Sequence, residues 1–200
     1  MPNWCSTNIK FTGEQEKLRV LHDFINDDEA NKKVGITTDF RVRWLGNYLE
    51  RAGLSWEDYR CRGTAEYISD VGQNEFTVET ETAWAPMLAM WQAVVEKIAP
   101  GLEITYFAQE PGCGVYMTND PEIAGNYWVD VCNEDDLPEN VANVFRESYD
   151  ATEADLRAAL LQVFPSDAEL ETDELIQKLE DVADGIGINK WKYVPVNEVD

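Results

Sequence analysis

The sequence predicts an α+β fold in which an antiparallel β-sheet packs against helices. Hydrophobic residues make up 44% of the 200-residue chain, which is enough for a sizeable core. Several stretches alternate between apolar and polar residues, as does a strand with one buried face. Others repeat their apolar residues every three or four positions, as does an amphipathic helix. The order of these stretches defines the expected architecture.

The first strand and the first helix are expected within residues 4–25. The strand pattern divides the segment into one face with Cys5, Thr7, Ile9 and Phe11 and another with Trp4, Ser6, Asn8 and Lys10. Residues 12–15 (TGEQ) have the form of a helix start with a capping-box glutamine. A helical stripe follows at Leu18, Leu21 and Ile25. Residues 26–33 are polar and are predicted to form a loop.

An insert, a hairpin and a second major helix come next. Residues 42–51 form a short helical pattern that ends near Gly53, a suitable C′ glycine. Strand-like runs at residues 64–71 and 75–83 are separated by the turn sequence GQN, which predicts a hairpin. Residues 87–98 have the clearest helical spacing in the chain, with one stripe formed by Met87, Met90, Trp91, Val94, Val95 and Ile98.

Three further strands are predicted at residues 102–108, 115–118 and 126–132, the last two as a hairpin. The order is therefore strand, helix, insert, strand, strand, helix, strand and hairpin. This is the split βαβ pattern of ferredoxin-like folds. We expect residues 1–132 to form a ferredoxin-like α+β domain with an antiparallel sheet, an insert after the first helix and an extra hairpin.

An acidic helical extension is predicted for residues 133–200. Three helical patterns follow one another, and their apolar residues are Val141, Val144, Phe145 and Tyr149, then Leu156, Leu160, Val163 and Phe164, then Leu175, Leu179 and Val182. Residues 190–196 can return as an edge strand, where their proline is tolerated. The extension is either a separate domain or packs on the same core.

The charge of the chain restricts its partners. The formal net charge is −23, and residues 64–189 hold 27 acidic and four basic residues. Such an excess of negative charge repels phosphate backbones and anionic lipid surfaces. We therefore expect no direct binding to nucleic acid and no membrane binding, and we expect a protein partner, for which a basic surface would be complementary.

Residues that commonly carry catalysis or metal binding are sparse. His22 is the only histidine, and none of the four cysteines is in CxxC spacing. A zinc site needs four well-placed ligands, and a Ser or Cys nucleophile needs a base. We therefore nominate no catalytic residue, no metal site and no cofactor. The thiols are expected to be reduced and mostly buried. Without a signal peptide or an apolar run of roughly 20 residues, the protein is expected to be cytoplasmic.

A row of carboxylates on the second strand of the predicted hairpin is the candidate interaction surface. Phe76 and Val78 occupy one face of this strand, and the opposite face carries Glu75, Glu79 and Glu81. Alternate residues of a strand are about 6.6 Å apart, comparable to phosphates along one DNA strand. The same pattern is also that of an ordinary solvated strand face.

A glycine-containing turn, residues 110–114, is a candidate pocket. Glycines allow a backbone to approach a ligand closely, and nearby aromatic residues could wall a cavity. The candidate pocket residues are Tyr106, Glu110, Gly112, Gly114, Tyr116 and Trp128.

Four short motifs resemble a known family. They are MPNWC at residues 1–5, GT at 63–64, TAWAP at 82–86 and EPGCG at 110–114. Together they resemble the plasmid- and phage-borne YubB-like (Api-phage-type) family, over roughly residues 1–132. The resemblance implies a ferredoxin-like domain and a mobile-element origin. The function of the family is unknown, so the resemblance implies no activity.

Three functions are compatible with these observations. The first is a non-enzymatic protein-interaction module with a strongly acidic surface. The second is a DNA mimic of antirestriction type, which would occupy a nucleic-acid-binding protein. The third is a small-molecule-binding or enzymatic module that uses the turn from Glu110 to Gly114.

Overall fold

The computed structural model describes residues 3–33, 42–133 and 137–199. The chain divides into two compact units: unit 1 comprises Met1–Asp120 and Val194–Asp200, and unit 2 comprises Pro121–Tyr193. Both units contain helices and strands, so the predicted α+β class is confirmed. The boundaries between these units lie at residues 120 and 193. The predicted ranges, 1–132 and 133–200, rest instead on a change in composition at residue 133.

Unit 1 is a five-stranded antiparallel arrangement with helices between the strands. Its strands are β1 (Trp4–Thr12), β2 (Gly63–Ile68), β3 (Glu75–Ala83), β4 (Glu103–Glu110) and β5 (Val115–Thr118). Its helices are α1 (Gln15–Asn26), α2 (Asp28–Lys33), α3 (Leu45–Arg51) and α4 (Leu88–Ile98), with short 3₁₀ helices at Pro111–Cys113 and Val196–Glu198. Hydrogen bonding places these strands in the order β2-β3-β1-β4-β5.

Strand β1 lies in the middle of this order and pairs along both edges. Trp4 is opposite Ala83 of β3, and Thr12 is opposite both Glu75 of β3 and Glu103 of β4. The predicted alternation is confirmed, because the face with Cys5, Thr7, Ile9 and Phe11 is buried. Residues 6–12 of this strand are therefore held by pairing on both sides.

Helices α1, α3 and α4 bury their apolar residues in one core with the sheet. Phe11 stacks on Phe76 with ring centroids 5.1 Å apart, and Trp91 of α4 lies 5.5 Å from Phe11. Tyr48 of α3 lies 5.7 Å from Trp91. The half-buried His22 packs edge-on against Phe76, so it has a structural place beside the core.

The prediction of a loop at residues 26–33 is wrong, because Asp28–Lys33 forms α2. The side chain of Asp27 accepts a hydrogen bond from the N–H of Ala30 at 2.9 Å, as an N-terminal cap does. The amide of Asn31 is buried and donates to the carbonyl of Ile25 at 3.1 Å. This polar helix is thus stabilised by local and tertiary hydrogen bonds, which hydrophobic periodicity does not report.

Unit 2 has a small sheet of its own. This sheet consists of β6 (Tyr127–Val131), β7 (Tyr149–Ala151) and β8 (Ile186–Lys190). The unit also contains the short strand β9 (Lys192–Tyr193) and the helices α5 (Glu139–Ala142), α6 (Glu153–Val163) and α7 (Thr172–Glu180). Strand β6 lies between β7 and β8 and pairs antiparallel with both. A separate core forms around residues that include Val129, Phe145, Leu156, Leu160 and Leu175.

Two predictions for the later part of the chain are wrong. The predicted hairpin of residues 115–118 and 126–132 does not form, because β5 pairs with β4 whereas β6 pairs with β7 and β8. The extension is not purely helical either. The pattern from Val141 to Tyr149 contains only the four-residue α5, and Tyr149 begins β7.

The other two helical patterns of this region are confirmed as α6 and α7. Helix α6 begins after Thr152, whose hydroxyl accepts a hydrogen bond from the N–H of Asp155 at 3.2 Å. Helix α7 begins with a capping box between Glu171 and Glu174. Among the helices that the structure describes, none has the length and apolar character needed to cross a membrane.

Candidate functional site

The candidate carboxylates lie on the sheet face that points away from helices α1, α3 and α4. Strand β3 buries Phe76 and Val78 in the core, so the alternate residues project to the opposite face. Glu75 and Glu79 are exposed there and Glu81 is half-buried. We call this set, with Tyr67, the β3 acidic face.

Tyr67 enters this face through an irregularity in β2. The register of β2 against β3 shifts between Ala65 and Tyr67, which is a bulge at Glu66, and the shift places Tyr67 opposite Glu79. The Tyr67 side chain is 52% exposed. Directly opposite residues of neighbouring strands share a face, so an aromatic ring and a carboxylate are presented side by side.

On the other side of β3, the neighbours come from β1. Glu81 is opposite Ser6, Glu79 is opposite Asn8, and Lys10 is opposite Thr77. Within the part of the chain that the structure describes, the carboxylates of the β3 acidic face make no ion pair and no side-chain hydrogen bond. Their charge is thus available to an outside group.

The turn at residues 110–114 is closed by its own carboxylate. The Glu110 side chain is 4% exposed and accepts hydrogen bonds from the N–H of Gly112 at 3.1 Å and from the N–H of Cys113. Gly114 adopts a left-handed conformation (φ +65°), which favours glycine. Asn3 donates a hydrogen bond to the Cys113 sulfur at 3.3 Å, so the opening segment also fastens this turn.

The predicted aromatic walls are not placed together by the sheet. Tyr106 is buried in the core of unit 1, and its hydroxyl donates to the carbonyl of Val194 at 2.8 Å. Tyr116 is also buried but lies on the opposite sheet face, because it is paired with Gln109 while Met117 is paired with Ala108. Trp128 belongs to β6 of unit 2 and is half-buried. Within unit 1, the structure therefore brings Glu110, Gly112 and Gly114 together in one turn and leaves Tyr106 and Tyr116 on opposite faces of the sheet.

Two cysteines are buried and two are exposed, and all four are free thiols. The expectation of mostly buried thiols holds for Cys5 and Cys61 and is wrong for Cys113 and Cys132. Burial raises the pKa of Cys5 to about 11 and that of Cys61 to about 12. The pKa of the exposed Cys113 is also raised, chiefly by its hydrogen bond with Glu110. A raised pKa keeps a thiol protonated and weakly nucleophilic at neutral pH.

A cleft that sequence reasoning missed opens in unit 1 where β3 leads into α4. Its cavity has a volume of about 510 Å³. The residues that line it come from the loop before β2, the β3–α4 connection and the C-terminal segment, and include Asp58, Arg60, Arg62, Pro86, Met87 and Val199. The pairing of Gly63 with Thr82 brings the loop and the connection together. The available sequence signal was the pair of arginines around Cys61, just before an acidic region with few cations.

Clusters of potential metal ligands are absent from the described residues. In residues 3–33, 42–133 and 137–199, no group of three or more His, Cys, Asp or Glu side chains is arranged to hold a metal ion.

No family model, no curated protein and no solved structure matches this chain.

Proposed function

We propose that this chain is a non-enzymatic protein-binding module that presents the β3 acidic face to a basic partner. The observation that carries this proposal is the display of exposed Glu75, exposed Glu79 and the half-exposed ring of Tyr67, which lies opposite Glu79, on one sheet face. An unpaired carboxylate can bind a Lys or Arg of a partner without breaking an ion pair within its own chain. A tyrosine adds apolar contact area and a stacking surface for guanidinium groups.

Unit 1 is proposed to be a ferredoxin-like domain. The strand order β2-β3-β1-β4, with a helix between β1 and β2 and another between β3 and β4, supports this assignment. Strand β5 extends the order beyond β4. We also propose membership of the YubB-like family, on the motifs quoted above, and a cytoplasmic location, which the four free thiols support.

The binding experiment compares two triple charge reversals of the full chain. E75K/E79K/E81K changes the β3 acidic face, and the matched control E16K/E50K/E57K changes three exposed carboxylates elsewhere in unit 1 by the same net charge. Each protein is immobilised and exposed to a lysate of the source cells, and retained proteins are identified by mass spectrometry. Washing at about 0.05 M and about 0.5 M salt tests for screening of charge.

The proposal expects basic proteins to be retained by the wild type and by the control, and to be lost with the face variant and at high salt. Retention that is equal for all three proteins would refute a role for the β3 acidic face. Retention of nothing above an uncoupled matrix would refute the binding function under these conditions.

The spacing of Glu79 and Glu81 favours DNA mimicry as the second candidate, since alternate strand residues lie about 6.6 Å apart. Adding duplex DNA to the lysate tests this candidate. A mimic would lose its bound proteins to the DNA, because both would occupy the same basic surface. Proteins that stay bound in excess DNA favour the general protein-binding function instead.

A further inference from the structure

We propose that the cleft between the loop before β2 and the β3–α4 connection binds a small organic anion, in which a carboxylate or phosphate ester is joined to an apolar body. The cleft lies entirely within unit 1 and shares no residue with the β3 acidic face. The inference therefore stands independently of the proposed protein-binding function.

The acid group is assigned from two arginines that line the cleft. Arg60 and Arg62 are exposed, and in the described part of the chain their guanidinium groups make no hydrogen bond and no ion pair. Some arginines elsewhere are engaged: Arg51 lies 3.7 Å from Asp27, and Arg157 donates to the carbonyl of Leu170. A guanidinium offers a planar fork of donors that matches carboxylate and phosphate oxygens.

The position of two arginines at one cavity of an acidic protein strengthens this assignment. The protein carries 39 acidic and 16 basic residues, so carboxylate partners for arginine are abundant. Two neighbouring arginines nevertheless stay unpaired at the same cavity, and among the described residues that line it Asp58 is the only one with a carboxylate. An anion in this cleft would find local positive charge inside a protein that repels anions elsewhere.

Helix α4 adds positive potential at the same place. Met87, Leu88, Ala89 and Met90, which line the cleft, form the N-cap and first turn of this 11-residue helix. No side chain caps the helix start. The first N–H groups of a helix have no partner within the helix, and the helix dipole favours negative charge beside them.

The apolar body is assigned from the remaining lining. Pro86, Leu88 and Val199 are buried apolar residues at the cleft, and Met87 is half-buried there. The cavity volume of about 510 Å³ lies within the range of small-molecule sites. A free inorganic ion would leave most of this cavity unfilled, whereas a ligand with a hydrocarbon or aromatic portion would fill it and contact these side chains.

The backbone around the cleft is also unusual. Arg60 (φ +47°) and Trp84 (φ +76°) are the two non-glycine residues with positive φ that the described ranges contain. Arg60 lines the cleft, and Trp84 stands between Ala83 and Ala85, which also line it. Such conformations cost free energy and are found preferentially at functional sites.

Isothermal titration calorimetry on the full chain tests the proposal with four probes. Phenyl phosphate and benzoate carry the two kinds of acid group on an aromatic body, benzyl alcohol carries the body without the acid, and inorganic phosphate carries the acid without the body. We expect saturable one-site binding of at least one aromatic acid, and much weaker binding of benzyl alcohol and inorganic phosphate. Binding of phenyl phosphate alone identifies phosphate esters as the class, and binding of benzoate alone identifies carboxylates.

The variant R60N/R62Q removes both positive charges, and asparagine is chosen because it tolerates the positive φ of Arg60. We expect its affinity for the bound probe to fall about tenfold or more, since charge-assisted hydrogen bonds are lost. The matched control R19Q/K97Q removes two exposed positive charges of unit 1 from residues that do not line the cleft, and it should bind as the wild type does.

A further variant keeps the test valid if R60N/R62Q does not fold. Asp58→Asn removes the carboxylate from the cleft and should tighten binding of the anion about twofold or more. The proposal is overturned by absence of binding of both aromatic acids, by equal affinity for inorganic phosphate and phenyl phosphate, or by equal affinity of the wild type and R60N/R62Q. An unchanged affinity in Asp58→Asn would also overturn it.

Discussion

Removing the Glu110 carboxylate should loosen the turn that follows β4. Glu110 is 4% exposed, and its two oxygens accept the backbone N–H groups of Gly112 and Cys113. Glu110→Ala removes both hydrogen bonds, whereas Glu110→Gln keeps one carbonyl oxygen as an acceptor and removes the charge. The two variants therefore separate the contribution of the charge and one hydrogen bond from that of the whole side chain.

The expected magnitude follows from the surroundings of these atoms. Two hydrogen bonds to a charged acceptor contribute about 3–6 kcal/mol when nothing opposes them. Burying the carboxylate opposes them, and water can reach Gly112 and Cys113 in the variant, because both residues are exposed. We therefore expect Glu110→Ala to lower the free energy of unfolding of unit 1 by about 2 kcal/mol, and Glu110→Gln by about 1 kcal/mol.

Urea unfolding and amide hydrogen exchange measure this prediction together. Exchange at the amides of Gly112 and Cys113 reports the turn itself, so it stays informative if the two units unfold in separate steps. Glu103→Ala is the matched control, since Glu103 is an exposed glutamate of the same strand. A Glu110→Ala variant within about 0.5 kcal/mol of the wild type, with unchanged exchange at Cys113, would refute the role of the carboxylate as a cap.

Three other predictions follow from burial, close approach and charge. The pKa values of Cys5 and Cys61 are raised from 9.0 to about 11 and about 12, so the folded state retains protons that the unfolded state releases. Stability should therefore fall as pH rises from about 9 to about 12, and a urea midpoint under reducing conditions that is constant over this range would contradict the expectation. Gly63→Ala should destabilise unit 1 by about 1–3 kcal/mol, because a Cβ there would lie 2.5 Å from the Glu81 carbonyl oxygen; an unchanged urea midpoint would refute it. Raising salt from about 0.02 M to about 0.3 M should raise the melting temperature, since residues 133–189 hold 16 acidic and three basic residues; indifference to salt would mean that their mutual repulsion is small.

Sequence periodicity predicted the elements with one apolar face. Strand β3 occupies residues 75–83 as expected, because Phe76 and Val78 alternate with polar residues. Helix α4 begins at Leu88, one residue after the predicted stripe, and buries Met90 and Trp91 as expected. In both cases the pattern of apolar residues is the direct cause of burial on one face, so the pattern is visible before the fold is known.

The elements that were missed depend on partners far away in the chain. Helix α2 includes Asn31, whose side chain contacts Arg51 of α3, and neither residue contributes to an apolar stripe. Strand β7 was hidden because Phe145 and Tyr149 happen to be four residues apart, a spacing that also suits a helix. The pairing of β6 with β8 joins residues more than fifty positions apart, and a pattern within one short segment cannot predict such a pairing.

The sequence likewise predicted one of the candidate sites and missed the other. The carboxylates of Glu75 and Glu79 were placed on one face by strand alternation, and the structure has them there. The cleft with Arg60 and Arg62 was missed, since it forms only when the pairing of β2 with β3 brings their loop to the start of α4. Alternation assigns a face to each strand residue, but it does not indicate which loops will meet.

The central position of β1 has a consequence for how the protein is made. Thr12 pairs with Glu75 and Glu103, so the second neighbour of β1 leaves the ribosome only after roughly 90 more residues, or about 5–20 s at ordinary rates of translation. During that interval the apolar face of β1 and at least one of its edges are exposed. Chaperones and other nascent chains bind to exposed segments of this kind. Long-range pairing of this kind also slows folding of the released chain. We expect the yield of folded protein to depend on the speed of synthesis up to residue 110, because that speed determines how long β1 is exposed before β4 has been synthesised.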